Sequence, residues 1–92
     1  APIVVVSRPK SAREQFSEQA LSERLARRDF QRETVEKLAA AGDKRISFVD
    51  GGDLLGGEDW YETTVDGSHA TDLGFMRMAD GLESAIRSAT GI

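Results

Sequence analysis

The hydrophobic positions of this chain form one unbroken run, one short mixed run and two periodic stretches. Pro2-Ile3-Val4-Val5-Val6-Ser7 is β-branched and continuous, the pattern of a strand covered on both faces in a parallel sheet. Arg8-Pro9 ends it, because proline cannot donate to a ladder and biases its predecessor toward extended geometry. Ser11 followed by Glu14 has the spacing of a capping box. From there to Ala41, residues Phe16, Ala20, Leu21, Leu25, Ala26, Phe30, Thr34, Leu38 and Ala41 recur at steps of three and four, which predicts an amphipathic helix. A helix of about thirty residues is long for a globular protein, so a break is expected near Leu21-Ser22 or Arg28-Asp29. Gly42 suits the stop.

Lys44 to Val49 holds the second strand, centred on Ile46-Ser47-Phe48-Val49. Asp50 to Thr64 is rich in glycine and acid and reads as a long loop pinned by Leu54, Leu55, Trp60 and Tyr61. A last helix is predicted from about Asp72 to Ser88, capped by Thr71 or Asp72, with Phe75, Met78, Ala79, Leu82, Ala85 and Ile86 as its buried stripe. The order strand, helix, strand, loop, helix indicates an α/β layer with parallel strands. Two strands make a poor sheet, and both of their outer edges invite further pairing. The pattern therefore anticipates strands beyond these residues.

Composition narrows the reading only slightly. Ninety-two residues allow one domain at most, residues 1–92. The net charge of −4 comes from interspersed signs, and no basic stripe with interleaved aromatics suggests a nucleic-acid partner. The absence of cysteine excludes disulfides, thiolate catalysis and cysteine-zinc sites. No run approaches the ~20 apolar residues of a membrane span. The chain opens on Ala1 with its strand already under way, which is expected of a trimmed or processed polypeptide.

The candidate chemistry lies in Val65-Asp66-Gly67-Ser68-His69-Ala70-Thr71-Asp72-Leu73-Gly74, which carries the only histidine. An imidazole accepts a hydroxyl proton near neutrality and returns it. Asp66 can fix its tautomer by taking a hydrogen bond from one ring nitrogen, and Gly67 permits the tight turn that folds the carboxylate back. The plainer alternative is an ordinary Asp-Gly turn with a solvated histidine.

The segment Asp66-Gly67-Ser68-His69, followed by Ala70 to Gly74 and a terminal amphipathic helix, resembles the last block of SGNH (GDSL-type) serine hydrolases. In that family a D-x-x-H motif supplies the triad acid and base. The resemblance extends over Ile46 to Ile86, and the opening strand fits an earlier strand of the same sheet. It implies a C-terminal part of a three-layer α/β/α sandwich with parallel strands. It also implies esterase or acylhydrolase chemistry, with Asp66 as triad acid and His69 as general base. Ala70 stands where many members have proline. The family's Gly-Asp-Ser block, and the glycine and asparagine blocks of its oxyanion hole, have no counterpart here. The implied partners are therefore the missing N-terminal part of the same domain or a second copy of the chain, together with a small ester substrate. The chain alone is expected to be inert. No cofactor or metal is implied.

Other residues read as structural. Ser7 sits at a strand end, where α/β sheets place active sites, but Val6-Ser7-Arg8-Pro9 lacks the glycines of a nucleophile elbow. Ser68 is too close to His69 to be placed for attack. Asp50, Asp53, Glu58 and Asp59 miss the EF-hand spacing, and His69 with Asp66 and Asp72 is a poor zinc set. The rival reading is a non-catalytic α/β module whose bare strand edges and apolar helix faces mediate assembly.

Overall fold

The computed structural model of the protein describes residues 1–91. Strand β1 (Ile3–Val6) and strand β2 (Ile46–Val49) pair in parallel, with Ile3 opposite Ile46 and Val6 opposite Val49. Helix α1 (Glu18–Ala40) connects them, and helix α2 (Asp72–Thr90) follows the long loop. Helix α1 packs on β2, and α2 packs on both strands. The arrangement is the α/β one that the alternation of elements predicts.

The strands are less enclosed than their composition suggests. Ile3 is 53 % exposed and Val6 36 %, because each strand has a single neighbour among the described residues. The apolar core is small: Val35, Leu54, Leu55 and Trp60. Three of those four come from the loop, which therefore acts as a structural element rather than a tether. Short 3₁₀ turns at Gly51–Asp53 and Trp60–Thr63 fold it onto the sheet and α2. Tyr61, expected as a further anchor, is half exposed.

The break in the long helical stretch falls earlier than predicted. Ser11 and Glu14 form the capping box, with Glu14 accepting from the Ser11 N–H at 2.9 Å. That box starts only a 3₁₀ turn, Ala12–Gln15. Ser17 then caps a new helix by accepting from the Ala20 N–H at 3.1 Å. The two serines compete as start signals, and the second begins the longer run. No break occurs at Leu21-Ser22 or Arg28-Asp29. The helix stops as expected: Gly42 N–H donates to Ala39 and Asp43 N–H to Leu38, a Schellman ending.

Helix α1 also turns a different face to the sheet. Phe16 and Phe30 are 87 % and 70 % exposed, and Leu21 and Leu38 are exposed too. The inward side is Val35 with half-buried Arg24, Arg28, Gln31, Arg32 and Ala39, joined by Ala20 and Leu25 from the predicted stripe. Charge sets this orientation. Arg28 and Arg32 reach Asp50, at the end of β2, at 3.4 and 3.5 Å, and Arg24 pairs with Glu14 at 2.7 Å. The Arg32 guanidinium lies 5.3 Å from the centre of the Phe48 ring. Long arginine stems cover apolar sheet surface while their heads find carboxylates, and a hydrophobic tally does not register that.

The final helix is capped by Thr71, whose hydroxyl accepts from the Gly74 N–H at 3.3 Å. Met78, Leu82 and Ala85 are half buried as expected, but Phe75, Ala79 and Ile86 remain exposed, Phe75 at 60 % and Ile86 at 49 %. Arg77 clasps the loop by donating to the Leu55 carbonyl at 2.8 Å and to both Asp59 oxygens at 3.0 and 3.1 Å. Among the described residues, no helix is long and apolar enough to cross a membrane.

Candidate active site

The loop between the Trp60–Thr63 turn and α2 closes on itself. Thr64 and Ala70 form an antiparallel bridge. Val65 N–H donates to the His69 carbonyl at 2.8 Å, and Thr71 N–H to the Thr63 carbonyl at 2.7 Å. Thr63 is fully buried, so one strut of the loop rests on a fixed point. Gly67 turns the chain at a φ of +87°. Its N–H donates to Thr64 Oγ1 at 2.9 Å, and its carbonyl accepts from the Ala12 N–H at 2.7 Å. A Cβ at Gly67 would come within 2.5 Å of the Ala12 Cβ. The segment after β1 thus touches the tip of the histidine loop.

Within this frame the two predicted residues meet. His69 Nδ1 lies 2.7 Å from Asp66 Oδ2. Asp66 Oδ1 accepts from the backbone N–H groups of Ser68 and His69 at 2.9 and 2.8 Å. The carboxylate is therefore fixed by the backbone of the residue it orients. The His69 N–H, the imidazole and the Ser68 N–H all favour its charged form and hold its pKa down to about 2. An ionised carboxylate can only accept, so in the neutral imidazole the proton sits on Nδ1 and the lone pair on Nε2. The imidazole side chain is 82 % exposed, open to a partner on its Nε2 side.

This geometry sets a pH dependence. The folded pKa of Asp66 lies below its ordinary value of 3.8, so its contribution to stability is complete above about pH 4 and is lost as pH falls toward 2. Asp66→Asn removes that contribution. Between pH 4 and 2 the melting temperature of the variant is expected to fall less steeply than that of the wild type, measured by circular dichroism. Parallel curves would contradict the assignment.

Beside the imidazole lies a shallow cavity of about 270 Å³, lined by Pro9, Leu55, Ser68, Ala70, Phe75 and Met78 with His69. The residue pattern assigns Phe75 and Met78 to a helix core and Leu55 to a loop anchor, yet all three wall this cavity. The signal for this wall lies in the loop closure, which the residue pattern does not carry. Ser7, the best-placed serine by sequence, is not available for chemistry. It is 2 % exposed, accepts from the Gly51 N–H at 2.8 Å and donates to Asp50 at 3.4 Å. It ties together the ends of the two strands. Asp72 starts α2 and lies outside the pair. The loop acids serve as turn and clasp residues: Asp50 caps the Gly51–Asp53 turn and Asp59 holds Arg77.

The model of the GDSL-like lipase/acylhydrolase family matches residues 1–87. Among solved structures, the chain is similar to a putative GDSL-like lipase from Bacteroides ovatus ATCC 8483, with a TM-score of 0.83 and 31 % identity. The match covers 99 % of this chain and 26 % of that one, so the chain spans about a quarter of the length of that structure. No curated protein matches it.

Proposed function

Because the chain belongs to the GDSL-like lipase/acylhydrolase family, we propose that it supplies the acid and the base of a Ser-His-Asp triad in an ester hydrolase. The nucleophilic serine and the oxyanion donors come from residues outside these ninety-two. The observation that carries the reading is the 2.7 Å contact between His69 Nδ1 and Asp66 Oδ2, which leaves Nε2 as the exposed base.

The chemistry follows from that orientation. Nε2 takes the serine hydroxyl proton as the serine oxygen bonds to the ester carbonyl carbon, and the carbonyl electron pair moves onto oxygen. Asp66 stabilises the imidazolium that forms. Collapse of the tetrahedral species breaks the bond to the alcohol, which leaves with the proton from Nε2. Water then repeats the sequence on the acyl-enzyme, with His69 as base, and releases the acid. The apolar walls at Pro9, Leu55, Phe75 and Met78 offer a surface for a non-polar part of the ester. The rest of the same domain completes the site.

An assay with para-nitrophenyl acetate tests this reading. The full-length hydrolase carrying this chain is expected to turn the ester over, and the ninety-two residues alone are expected to be inert. Turnover by the isolated chain, abolished by His69→Ala, would overturn the division of roles. The rival assembly-module reading draws on the exposed Phe16 and Phe30, but it gives the Asp66–His69 pair no task.

A further inference from the structure

A second cavity, of about 300 Å³, lies between the segment after β1 and helix α1. Five arginines line it against two glutamates, an excess of three positive charges in a chain whose net charge is −4. Two of the arginines are already neutralised, Arg24 by Glu14 at 2.7 Å and Arg28 by Asp29 at 2.9 Å. Arg8, Arg13 and Arg27 have no ion pair among the described residues. Glu23, the remaining acid of the lining, receives the Gln19 amide at 3.2 Å rather than a guanidinium. Like charges gathered around one cavity repel. An oxyanion removes that repulsion, and the planar guanidinium fork is shaped to hold one in two parallel hydrogen bonds.

This cavity adjoins the catalytic loop through its own walls. Arg8 precedes Pro9, which lines the cavity at His69. Ser11 and Arg13, both in the arginine lining, flank Ala12, whose N–H is bonded to the Gly67 carbonyl at 2.7 Å. One short segment, residues 8–13, borders both. We propose that the arginine cavity is a substrate subsite that binds an oxyanion group, a carboxylate or sulfate, on the same molecule as the ester. The proposal rests on the hydrolase reading above.

The test uses the full-length hydrolase and two matched esters, an acetylated methyl hexoside and its acetylated uronate counterpart. The wild type is expected to favour the anionic ester by about tenfold or more in kcat/KM, mostly through KM, with the preference eroded in 0.5 M NaCl (about a twofold shorter screening length than at physiological salt). In the triple variant Arg8→Gln, Arg13→Gln, Arg27→Gln the ratio of the two kcat/KM values is expected to fall to about one. Because the ratio is normalised to the neutral ester, loss of folded protein does not imitate the result. A wild-type ratio near one, or a ratio the triple variant retains, would overturn the subsite. Sulfate titration by calorimetry separates the sources of the anion: binding by the wild type without any preference between the esters would mark a free-anion site and refute the substrate assignment. If neither ester is hydrolysed, it is the hydrolase reading that fails. The calorimetric arm still decides on the cavity, where equal heats in wild type and triple variant refute it and heat lost with the arginines supports it.

Discussion

His69→Ala in the full-length hydrolase is expected to lower kcat for a simple ester by about 10⁴-fold or more. The size follows from what the imidazole does in two places. On the proposed mechanism it removes the serine proton during acylation and the water proton during deacylation. Asp66→Asn is expected to cost about as much, on the order of 10⁴-fold, for a different reason. The carboxamide keeps the shape but can present an N–H to Nδ1, which would move the ring proton to Nε2 and block the base. The two losses should not add in the double variant, since the residues act as one unit. Steady-state kinetics of the two single variants and the double variant read this directly. A double variant slower than the wild type by the product of the two single-variant factors would show that the residues act independently.

Gly51→Ala is expected to be the most damaging small substitution in the fold. Gly51 is buried immediately after β2, and a Cβ there would overlap the Ser7 carbonyl oxygen. The obstruction is backbone, so no side chain can swing aside. The strand ends must separate, breaking the hydrogen bond from the Gly51 N–H to Ser7 Oγ at 2.8 Å. Overpacking and an unsatisfied buried donor each cost about 1–3 kcal/mol, so roughly 3 kcal/mol or more is expected in total. A domain with only about 5–15 kcal/mol of stability feels that strongly. Urea unfolding is the measurement. Gly57→Ala, where an added Cβ meets nothing within 4 Å, serves as the control and should stay within about 0.5 kcal/mol of wild type. Equal midpoints for the two variants would refute the close-approach argument.

The parts of this protein legible in its sequence are those written locally. The β-branched run marked β1, the short apolar cluster around Ile46, Phe48 and Val49 marked β2, Gly42 marked the end of α1, and Thr71 marked the start of α2. Asp66 and His69 could be paired on paper because only Gly67 and Ser68 lie between them and the contact is made within one turn. What could not be read depends on distant partners. Helix α1 faces the sheet with arginines because Asp50 and Glu14 lie opposite them. That choice requires knowing where β2 ends in space. The same holds for Ser7, whose neighbour Gly51 is far away in sequence. The wall of the His69 cavity joins Pro9, Leu55 and Met78 from three separate segments, and no periodicity links them.

The central claim is that the Asp66–His69 pair is the basic half of a serine hydrolase's reactive centre. Fluorophosphonate probes test it at the bond-forming step, because they label a serine only when a neighbouring base activates it. The full-length protein is predicted to take up one probe per chain. Labelling should slow by orders of magnitude in His69→Ala, while the circular dichroism spectrum stays that of the wild type. Labelling at the wild-type rate in the His69→Ala protein, on the same serine, would contradict the account.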